Sequence, residues 1–484
     1  MTADCRPEEH YMVNLSQRLS EIKKLVDSGK YFTINRARQY GKTTTLRSLN
    51  RFLQAEYYVV LIDFQTFGNA KFKSENTFSL AFAHSFLRAL KRNALSDKST
   101  FREAIVRLEG YINDRQKHFE LKELFEELSN ICDASNLPVI LLIDEVDSAT
   151  NQQVFIDFLA QLRACYIYRD IQGTFQSVIL AGVYDIKNLK DRINSDENSK
   201  TSSPWNIAAD FNIDMSFSAY DIAGMLQEYE NDYLTGMDIP QIAGLLYEYT
   251  SGYPFLVSRL CKLMDEEICR NAEYQTKSKS WTEEGFLEAV RMLLMEKNTL
   301  FDSLIGKLKA YPELNNMLNS LLFTGKSITY NPDEPAIDMA TMFGFIRNKK
   351  GSVVIANRIF ETRLYNLYLS ATEMQRLEIY KASFFLLYLR PIINGTGNFY
   401  IESRTRELRR TDVIVDYQGE QYVIEMRIWH ENEYHMRGER QLTGYLDDYH
   451  VKTGYMVSFH FNRNKNIGVH EIKVGEKTLI EAVV

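Results

Sequence analysis

No apolar run in this 484-residue chain approaches the roughly 18–20 residues that a membrane-spanning helix needs, so we expect no membrane segment. The five cysteines lack the spacing of metal ligands and are interpreted as free thiols in a reducing compartment. The start, MTADCRPEEHYMV, has no basic region followed by an apolar core, which predicts no secretory signal. These absences together predict a cytoplasmic protein.

An excess of basic residues is also missing. The formal net charge of −7 provides no general attraction to nucleic acid, so any such binding must come from local patches. Apolar residues make up 45% of the chain and charged residues 25%, which is the balance of a folded globular protein. The sequence has no internal repeat or low-complexity segment, and its length allows three or four domains.

The first chemical signal is YFTINRARQYGKTTTLRSL, which reads as a strand, a loop and a helix. Gly41, Lys42 and Thr43 match the end of the phosphate-binding pattern G-x-x-x-x-G-K-[ST], although Arg36 occupies the place of the first glycine. The glycine lets the backbone approach phosphates, the lysine is placed for the β- and γ-phosphates, and the threonine hydroxyl can bind Mg²⁺. A basic loop that opens a surface helix is the alternative interpretation.

The second signal, LPVILLIDEVDS, lies about a hundred residues further along. Residues 139–143 are continuously apolar, as in a strand buried on both faces of a parallel sheet. The acids that follow suit a Walker B pair, with Asp144 holding Mg²⁺ and Glu145 polarising the attacking water. A buried strand that merely ends in solvated acids is the alternative, but the two motifs in this order predict nucleotide binding and hydrolysis.

Further strands are predicted at 57–65 and 177–185, with helical stretches between them. This alternation predicts an α/β fold with a doubly wound parallel sheet, followed by a small helical lid that contains a Gly-Tyr-Pro turn. The predicted domains are an ATPase core at 1–215, the lid at 216–299, a winged-helix-like connector at 300–380 and a small α/β domain at 381–484.

The segment from about His10 to Cys269 resembles the AAA-like ATPases of the P-loop superfamily found in many gut bacteria. The stretches that carry this resemblance are YFTINRARQYGKTTTL, VILLIDEVDS, FQSVILAGVYDIKNLK, SPWNIAADF and SGYPFLV. The resemblance implies ATP as the nucleotide, with Mg²⁺, and places Tyr253 and Pro254 near the bound base. The residues expected to bind the cofactor are Arg38, Gln39, Tyr40, Gly41, Lys42, Thr43, Thr44, Asp144 and Pro254. Arg163 and Arg169 are candidate arginine fingers, with a solvated helix face as the alternative.

The connector ends in FGFIRNKKGSVVIAN, which predicts a hairpin with a basic tip after several helices. This order suggests a winged helix whose Arg347, Lys349 and Lys350 contact nucleic-acid phosphates. Alternatively, the lysines protect the exposed hairpin edge from pairing with other strands, or the module docks on the ATPase.

The last predicted domain contains DVIVDYQGEQYVIEMRIW, which reads as two antiparallel strands joined at a Gln-Gly turn. Folding at this turn brings Asp412 and Glu425 to the same end of the sheet, where two carboxylates can hold Mg²⁺. Arg427 follows Glu425 by two residues and therefore shares its face of the strand. An ordinary hairpin with no site is the alternative.

This layout resembles the PD-(D/E)xK nuclease superfamily over roughly the last hundred residues. The resemblance implies that Asp412 and Glu425 are metal ligands and that Gln441 and Tyr445 steady the substrate backbone. Arg427 departs from the family's lysine: it keeps the positive charge but is poorly suited as a general base.

The sequence therefore predicts an ATPase whose nuclease-like module acts on nucleic acid, with DNA favoured, in an ATP-gated and Mg²⁺-dependent way. The alternative is an ATP-driven binding or regulatory switch whose nuclease-like module is catalytically degenerate, and a scaffold role is a third candidate. A homo-oligomer is a further expectation.

Overall fold

The computed structural model describes residues 5–93, 102–114, 118–184, 204–323, 327–373, 397–404, 410–417, 419–428, 442–447, 449–459 and 467–484. None of the helices in these ranges combines the length and apolar character that a membrane crossing requires. The chain divides into two units, Met1–Glu296 with Met342–Gly344 and Lys297–Thr341 with Phe345–Val484.

A parallel sheet forms the centre of the first unit. Its strands are β1 (Phe32–Asn35), β2 (Tyr58–Asp63), β3 (Val139–Asp144) and β4 (Ser177–Gly182). They lie in the order β1-β4-β3-β2, and every neighbouring pair is parallel. All residues of β3 and β4 are buried, because helices cover both faces of the sheet. The strands predicted from the apolar runs are therefore confirmed.

Helices pack on the two faces of this sheet. They are α1 (Ser16–Asp27), α2 (Lys42–Leu53), α3 (Glu75–Asn93), α4 (Arg102–Asn113), α5 (Leu121–Asp133) and α6 (Gln153–Ile167). Ile140 and Leu142 of β3 join the core beneath α1 and α2, whereas Leu141 and Ile143 join a phenylalanine-rich core beneath α3, α5 and α6. The two-residue period of a strand produces this division. The predicted α/β fold is confirmed for this unit.

The chain next runs along the outer edge of β1 and enters a helical region. Ala209 forms a parallel bridge with Phe32, and its N–H donates to the carbonyl of Tyr31 at 2.8 Å. Within residues 204–296, the α-helices are α7 (Ala219–Tyr233), α8 (Ile239–Thr250), α9 (Pro254–Lys262), α10 (Lys277–Ser280) and α11 (Glu283–Met295). The side chains of Ser218 and Asp238 cap the first two of these helices. We call α7 to α11 the lid.

The second unit begins with helices and a hairpin. These elements are α12 (Thr299–Ala310), α13 (Pro312–Phe323), α14 (Pro335–Met342), β5 (Ile346–Lys349), β6 (Ser352–Ile355) and α15 (Arg358–Glu373). Lys350 and Gly351 both adopt positive φ, which is the geometry of a two-residue hairpin turn. The predicted hairpin with a basic tip is therefore present.

The second unit continues with a mixed sheet of the strands β7 (Gly397–Arg404), β8 (Arg410–Tyr417), β9 (Glu420–Ile428), β10 (Thr453–Phe459), β11 (Gly468–Val474) and β12 (Lys477–Val483). Their order is β11-β12-β10-β9-β8-β7. Antiparallel pairs join β7 to β8, β8 to β9 and β11 to β12, whereas β10 runs parallel to both β9 and β12. A helix at 442–447 lies between β9 and β10 in the chain. The antiparallel pair predicted on either side of Gly419 is confirmed.

Candidate functional site

The loop between β1 and α2 has the backbone of a phosphate cradle. Gly41 has φ +79° and caps α2, so it occupies the left-handed region that a side chain disfavours. Gln39 also has a positive φ, which is unusual for a residue with a side chain. The first amides of α2 have no partner within the helix and attract anions. The loop is therefore built as the Gly-Lys-Thr pattern predicts.

Arg36 has a structural role at the position of the missing first glycine. Its guanidinium donates to the carbonyls of Asn35 at 2.7 Å and Ile213 at 2.8 Å. It also lies 5.3 Å from the ring centre of Phe211. Burial lowers the pKa of this guanidinium, although an arginine stays charged at neutral pH. The side chain thus ties the loop to the segment that leads into the lid.

Lys42 is the buried cation of the loop, with an exposed fraction of 7%. Its ammonium donates to the carbonyls of Arg36 at 2.9 Å and Ala37 at 3.1 Å. Burial lowers the pKa of Lys42, and the charges of Asp147, Glu145 and Asp144 act in the opposite direction. Lys42 therefore carries a buried charge under the influence of three nearby carboxylates.

Thr43 and Asp144 connect the two motifs directly. The Thr43 hydroxyl donates to Oδ2 of Asp144 at 2.7 Å, and the amide of Glu145 donates to Oδ1 at 2.9 Å. Asp144 ends β3 with an exposed fraction of 5%, and burial raises the pKa of its carboxyl. A hydroxyl and a carboxylate at this spacing are suitable oxygen ligands for Mg²⁺.

Glu145 is held in an unusual backbone conformation at the end of the same strand. Its φ of +53° lies in the left-handed region, which costs on the order of 1 kcal/mol for a residue with a side chain. Burial also raises the pKa of its carboxyl, and Lys42 opposes that rise. A half-buried glutamate next to the Thr43–Asp144 pair is suited to orienting a water.

Asp147 belongs to the site, although the sequence interpretation did not single it out. Its carboxylate accepts from the amides of Val183, at 2.8 and 2.9 Å, and Tyr184, at 3.1 Å. A Cβ at Gly182 would lie 2.8 Å from its Oδ1, so only glycine permits this close approach. The third acid of the DEVD stretch was the available signal. Asp147 fixes the chain where it leaves β4.

The Gly-Tyr-Pro turn of the lid contacts the loop. The Tyr253 hydroxyl donates to the carbonyl of Arg38, and the Tyr253 ring packs edge-on against that of Tyr40, with centres 4.7 Å apart. Pro254 is the first residue of α9, where a missing N–H does no harm. The turn that the sequence predicted is thus present beside the loop.

The remaining residues predicted near the nucleotide lie at the surface or have other contacts. Arg38 and Gln39 are exposed, and the Thr44 hydroxyl accepts from the amide of Cys5 at 3.5 Å. Arg169 donates to the carbonyl of Gly29 at 3.1 Å, so this candidate finger contacts its own unit. The other candidate, Arg163, is half-buried rather than on a solvated face.

The predicted C-terminal site is described only in part. The side chains of Asp412 and Arg427, and the whole of Gln441, lie outside the described residues. The register pairs Val413 with Ile424, which puts the backbone of Asp412 next to that of Glu425 on adjacent strands. Glu425 itself has an exposed fraction of 4%. Among the side chains that are described, no group of three or more His, Cys, Asp or Glu residues is arranged to hold a metal ion.

Tyr445 has a packing role that differs from the prediction. With an exposed fraction of 2%, its ring is buried in a core with Val423, Leu446 and Met456. A side chain that steadies a substrate backbone must reach solvent, so burial argues against that role. Tyr445 does lie in the helix at 442–447, but its side chain is covered by the sheet.

The basic hairpin tip is open to solvent. Arg347, Lys349 and Lys350 are all exposed on β5 and its turn. One short hairpin therefore presents three cations to solvent.

A parallel sheet whose carboxyl edge carries a Gly-Lys-Thr loop, a buried Asp and a half-buried Glu defines a P-loop ATPase. The chain belongs to the AAA-like domain family, whose model matches residues 8–371. The match extends well beyond Cys269, where the sequence resemblance ended, and includes the helices and hairpin of the connector. A search among curated proteins found no significant match.

Several solved structures are similar to this chain. The Walker-type ATPase PABY2304 of Pyrococcus abyssi is 14% identical, with a TM-score of 0.48, and the match covers 75% of this chain and 99% of that one. The ORC1 protein of Aeropyrum pernix, solved in complex with DNA, is 13% identical, with a TM-score of 0.33 and coverages of 75% and 94%. The ORC2 protein of the same organism, solved as ADPNP-ADP complexes, is 12% identical, with a TM-score of 0.38 and coverages of 75% and 97%.

Proposed function

We propose that the first unit binds Mg·ATP and hydrolyses it at the edge formed by β1 and β3. The observation that carries this proposal is the 2.7 Å bond between Thr43 and Asp144, beside the buried ammonium of Lys42. A hydroxyl, a carboxylate and a buried cation next to open helix amides are the donor set that a magnesium-bound triphosphate requires.

Each residue has a distinct role in this proposal. Lys42 exchanges its two loop carbonyls for phosphate oxygens, which are stronger partners because they are charged. Thr43 and Asp144 would hold Mg²⁺, which would supply positive charge to neutralise the phosphates. Glu145 orients the attacking water, and Asp147 keeps the end of β4 in place beside it.

Glu145→Gln tests the catalytic assignment. The variant should bind ATP like the parent but turn it over about a hundredfold more slowly or worse, because an amide cannot act as a base. The exposed Glu126→Gln serves as the control. An unchanged turnover number in steady-state phosphate release would exclude Glu145 as the water-orienting group.

We further propose that the C-terminal domain is a PD-(D/E)xK-like module that acts on nucleic acid under control of the ATPase. Supporting it, the antiparallel pair β8–β9 is followed by a helix and by β10 parallel to β9, the order of hairpin, helix and strand on which the resemblance rests. The adjacent backbone positions of Asp412 and Glu425 agree with a shared Mg²⁺ site.

A second candidate function is a switch that holds nucleic acid without cutting it. Arg427 favours this candidate, since a guanidinium can hold a phosphate but is a poor base.

A nuclease assay separates the two candidates. The purified full chain is incubated with single- and double-stranded DNA and RNA, with Mg²⁺ or Mn²⁺, and with ATP or none. Cleavage that changes with ATP supports the gated nuclease. Retention of nucleic acid without cleavage under any of these conditions supports the switch.

A further inference from the structure

The carbonyls at the start of the phosphate loop are all held by side chains. Those of Arg36 and Ala37 accept from Lys42, and that of Arg38 accepts from the Tyr253 hydroxyl of the lid. Lys42 must break its hydrogen bonds to the two carbonyls in order to bind phosphates. The Tyr253 hydroxyl is uncharged, so phosphates do not attract it away from the Arg38 carbonyl. The Tyr253 contact can therefore persist through nucleotide binding.

Tyr253 is itself rigidly placed. Its exposed fraction is 3%, and the preceding Gly252 has φ +71°. A Cβ at Gly252 would lie 1.9 Å from the carbonyl oxygen of Phe217, and the amide of Phe217 donates to the Gly252 carbonyl at 2.8 Å. The turn is thus locked onto the segment that enters the lid. Burial raises the pKa of Tyr253 well above 10, so its hydroxyl keeps its proton and remains a donor.

The hold on the Arg38 carbonyl also sets the direction of the next amide. The peptide between Arg38 and Gln39 is planar and trans, so its C=O and N–H point in opposite directions. With the carbonyl directed at Tyr253, the Gln39 amide must point away from the lid tyrosine. Gln39 has φ +56°, a conformation that a free loop would readily leave.

We propose that the Tyr253 hydroxyl is a positioning group that directs the Gln39 amide at the β- and γ-phosphates of the nucleotide. The proposal rests on the nucleotide site proposed above. Gln39 lies three residues before α2, in the part of the loop that cradles the outer phosphates. Through Tyr253, the position of the lid determines whether the loop presents this amide.

The test is Tyr253→Phe, which removes one oxygen and keeps the ring. Dissociation constants are measured for ATP, ADP and AMP by competition with a fluorescent ATP analogue in the presence of Mg²⁺. ATP and ADP should bind about five- to tenfold more weakly than to the parent, as expected for one lost hydrogen bond. AMP, which lacks the outer phosphates, should bind as it does to the parent.

Tyr31→Phe is the matched control. The Tyr31 hydroxyl is also buried and donates to a main-chain carbonyl, that of Phe175 at 3.1 Å, but it lies before β1, at the opposite end of that strand from the loop. This variant should bind all three nucleotides like the parent. Thermal unfolding of both variants shows whether either substitution lowers the stability of the folded protein.

Two results would overturn the proposal. Parental ATP affinity in Tyr253→Phe would mean that the hydroxyl does not position the loop. Equal weakening of ATP, ADP and AMP would mean that Tyr253 acts on the base or through the fold. The proposed nucleotide site has its own test. If neither the parent nor Lys42→Ala binds ATP, the nucleotide site is wrong, and the inference about Tyr253 fails with it.

Discussion

The Thr43 hydroxyl donates to Asp144 across 2.7 Å although the two residues are 101 positions apart in the chain. The contact arises because β1 and β3 belong to one parallel sheet, so their carboxyl ends meet at the same edge. Ligand sites of open α/β sheets form at that edge for the same reason. The bond thus marks the place where the loop and the acidic pair meet.

Removing the loop cation should abolish nucleotide binding. In Lys42→Ala, ATP affinity is expected to fall by about a hundredfold or more, because phosphate charge would remain unpaired in a buried site. Isothermal titration with Mg·ATP measures the change. Arg51→Ala, on the exposed part of the same helix, is the control and should bind normally. ATP binding as tight as that of the parent would show that the loop assignment is wrong.

The buried Asp144 should reduce the stability of the nucleotide-free protein. Because burial raises its pKa in the folded state, the folded protein loses stability as pH rises from the ordinary value of 3.8 through the raised value. Asp144→Asn should therefore unfold at a temperature higher by about 2 °C at neutral pH in EDTA without nucleotide.

The higher unfolding temperature of Asp144→Asn should vanish in acid, where the aspartate of the parent is uncharged as well. Asp170→Asn, at an exposed acid, should show no such change. Thermal unfolding across pH gives the comparison. A lower unfolding temperature for Asp144→Asn at neutral pH would mean that the Thr43 bond outweighs the cost of burial.

Restoring the first glycine should weaken the fold rather than improve the site. Arg36→Gly removes the bond to the Ile213 carbonyl and the contact with Phe211, at an expected cost of about 2–3 kcal/mol. ATP affinity measured well below the unfolding temperature should stay within a few-fold of the parent. Arg36→Lys, which keeps the charge but lacks the planar fork, should be intermediate. Tighter ATP binding with unchanged stability would contradict the structural role of Arg36.

The hairpin tip should contribute to nucleic-acid affinity through charge. Replacing Arg347, Lys349 and Lys350 with glutamine should weaken binding and reduce the slope of log affinity against log salt by about two to three for duplex DNA. The charge-matched control replaces the exposed Lys24, Lys122 and Lys309, which lie outside the C-terminal domain. An unchanged slope at the tip would favour a docking role for the hairpin.

The C-terminal module is tested most directly at Arg427. If Asp412 and Glu425 hold a metal, Arg427→Lys should raise metal-dependent cleavage above the parent, since a compact amine is restored beside the attacking water. Asp412→Ala should abolish cleavage in either background, and Arg427→Ala should weaken nucleic-acid binding. Cleavage on a labelled duplex is the measurement.

Asp416→Ala is the control on β8, the strand of Asp412. The Asp416 carboxylate accepts a hydrogen bond from the side-chain amide of Gln421 near the hairpin turn. A parent that already cuts, with no gain in Arg427→Lys, would show that arginine suffices as an electrostatic clamp. If no variant cleaves the duplex and Asp412→Ala binds nucleic acid as the parent does, there is no metal site. In that case β9 is only a strand of a binding module.

Local pattern in the sequence was enough to predict the main elements and both nucleotide motifs. The buried strands appeared as apolar runs, the lid as helical spacing, and the hairpins as turn residues between short strands, because these patterns follow from backbone geometry alone. Gly41 and Asp144 were singled out because motifs for phosphate and magnesium restrict residue type at fixed spacing.

Only the tertiary structure decided which distant groups meet. In the sequence, Arg36 was only a departure from the phosphate-binding pattern. Its hydrogen bond to the Ile213 carbonyl shows that it has a structural role. Tyr445 was expected to face a substrate, but the sheet that buries it comes from other parts of the chain. The contacts of Asp147 with the end of β4 and of Tyr253 with Arg38 depend in the same way on how strands and lid are placed. Such contacts join residues far apart in sequence, so no local pattern records them.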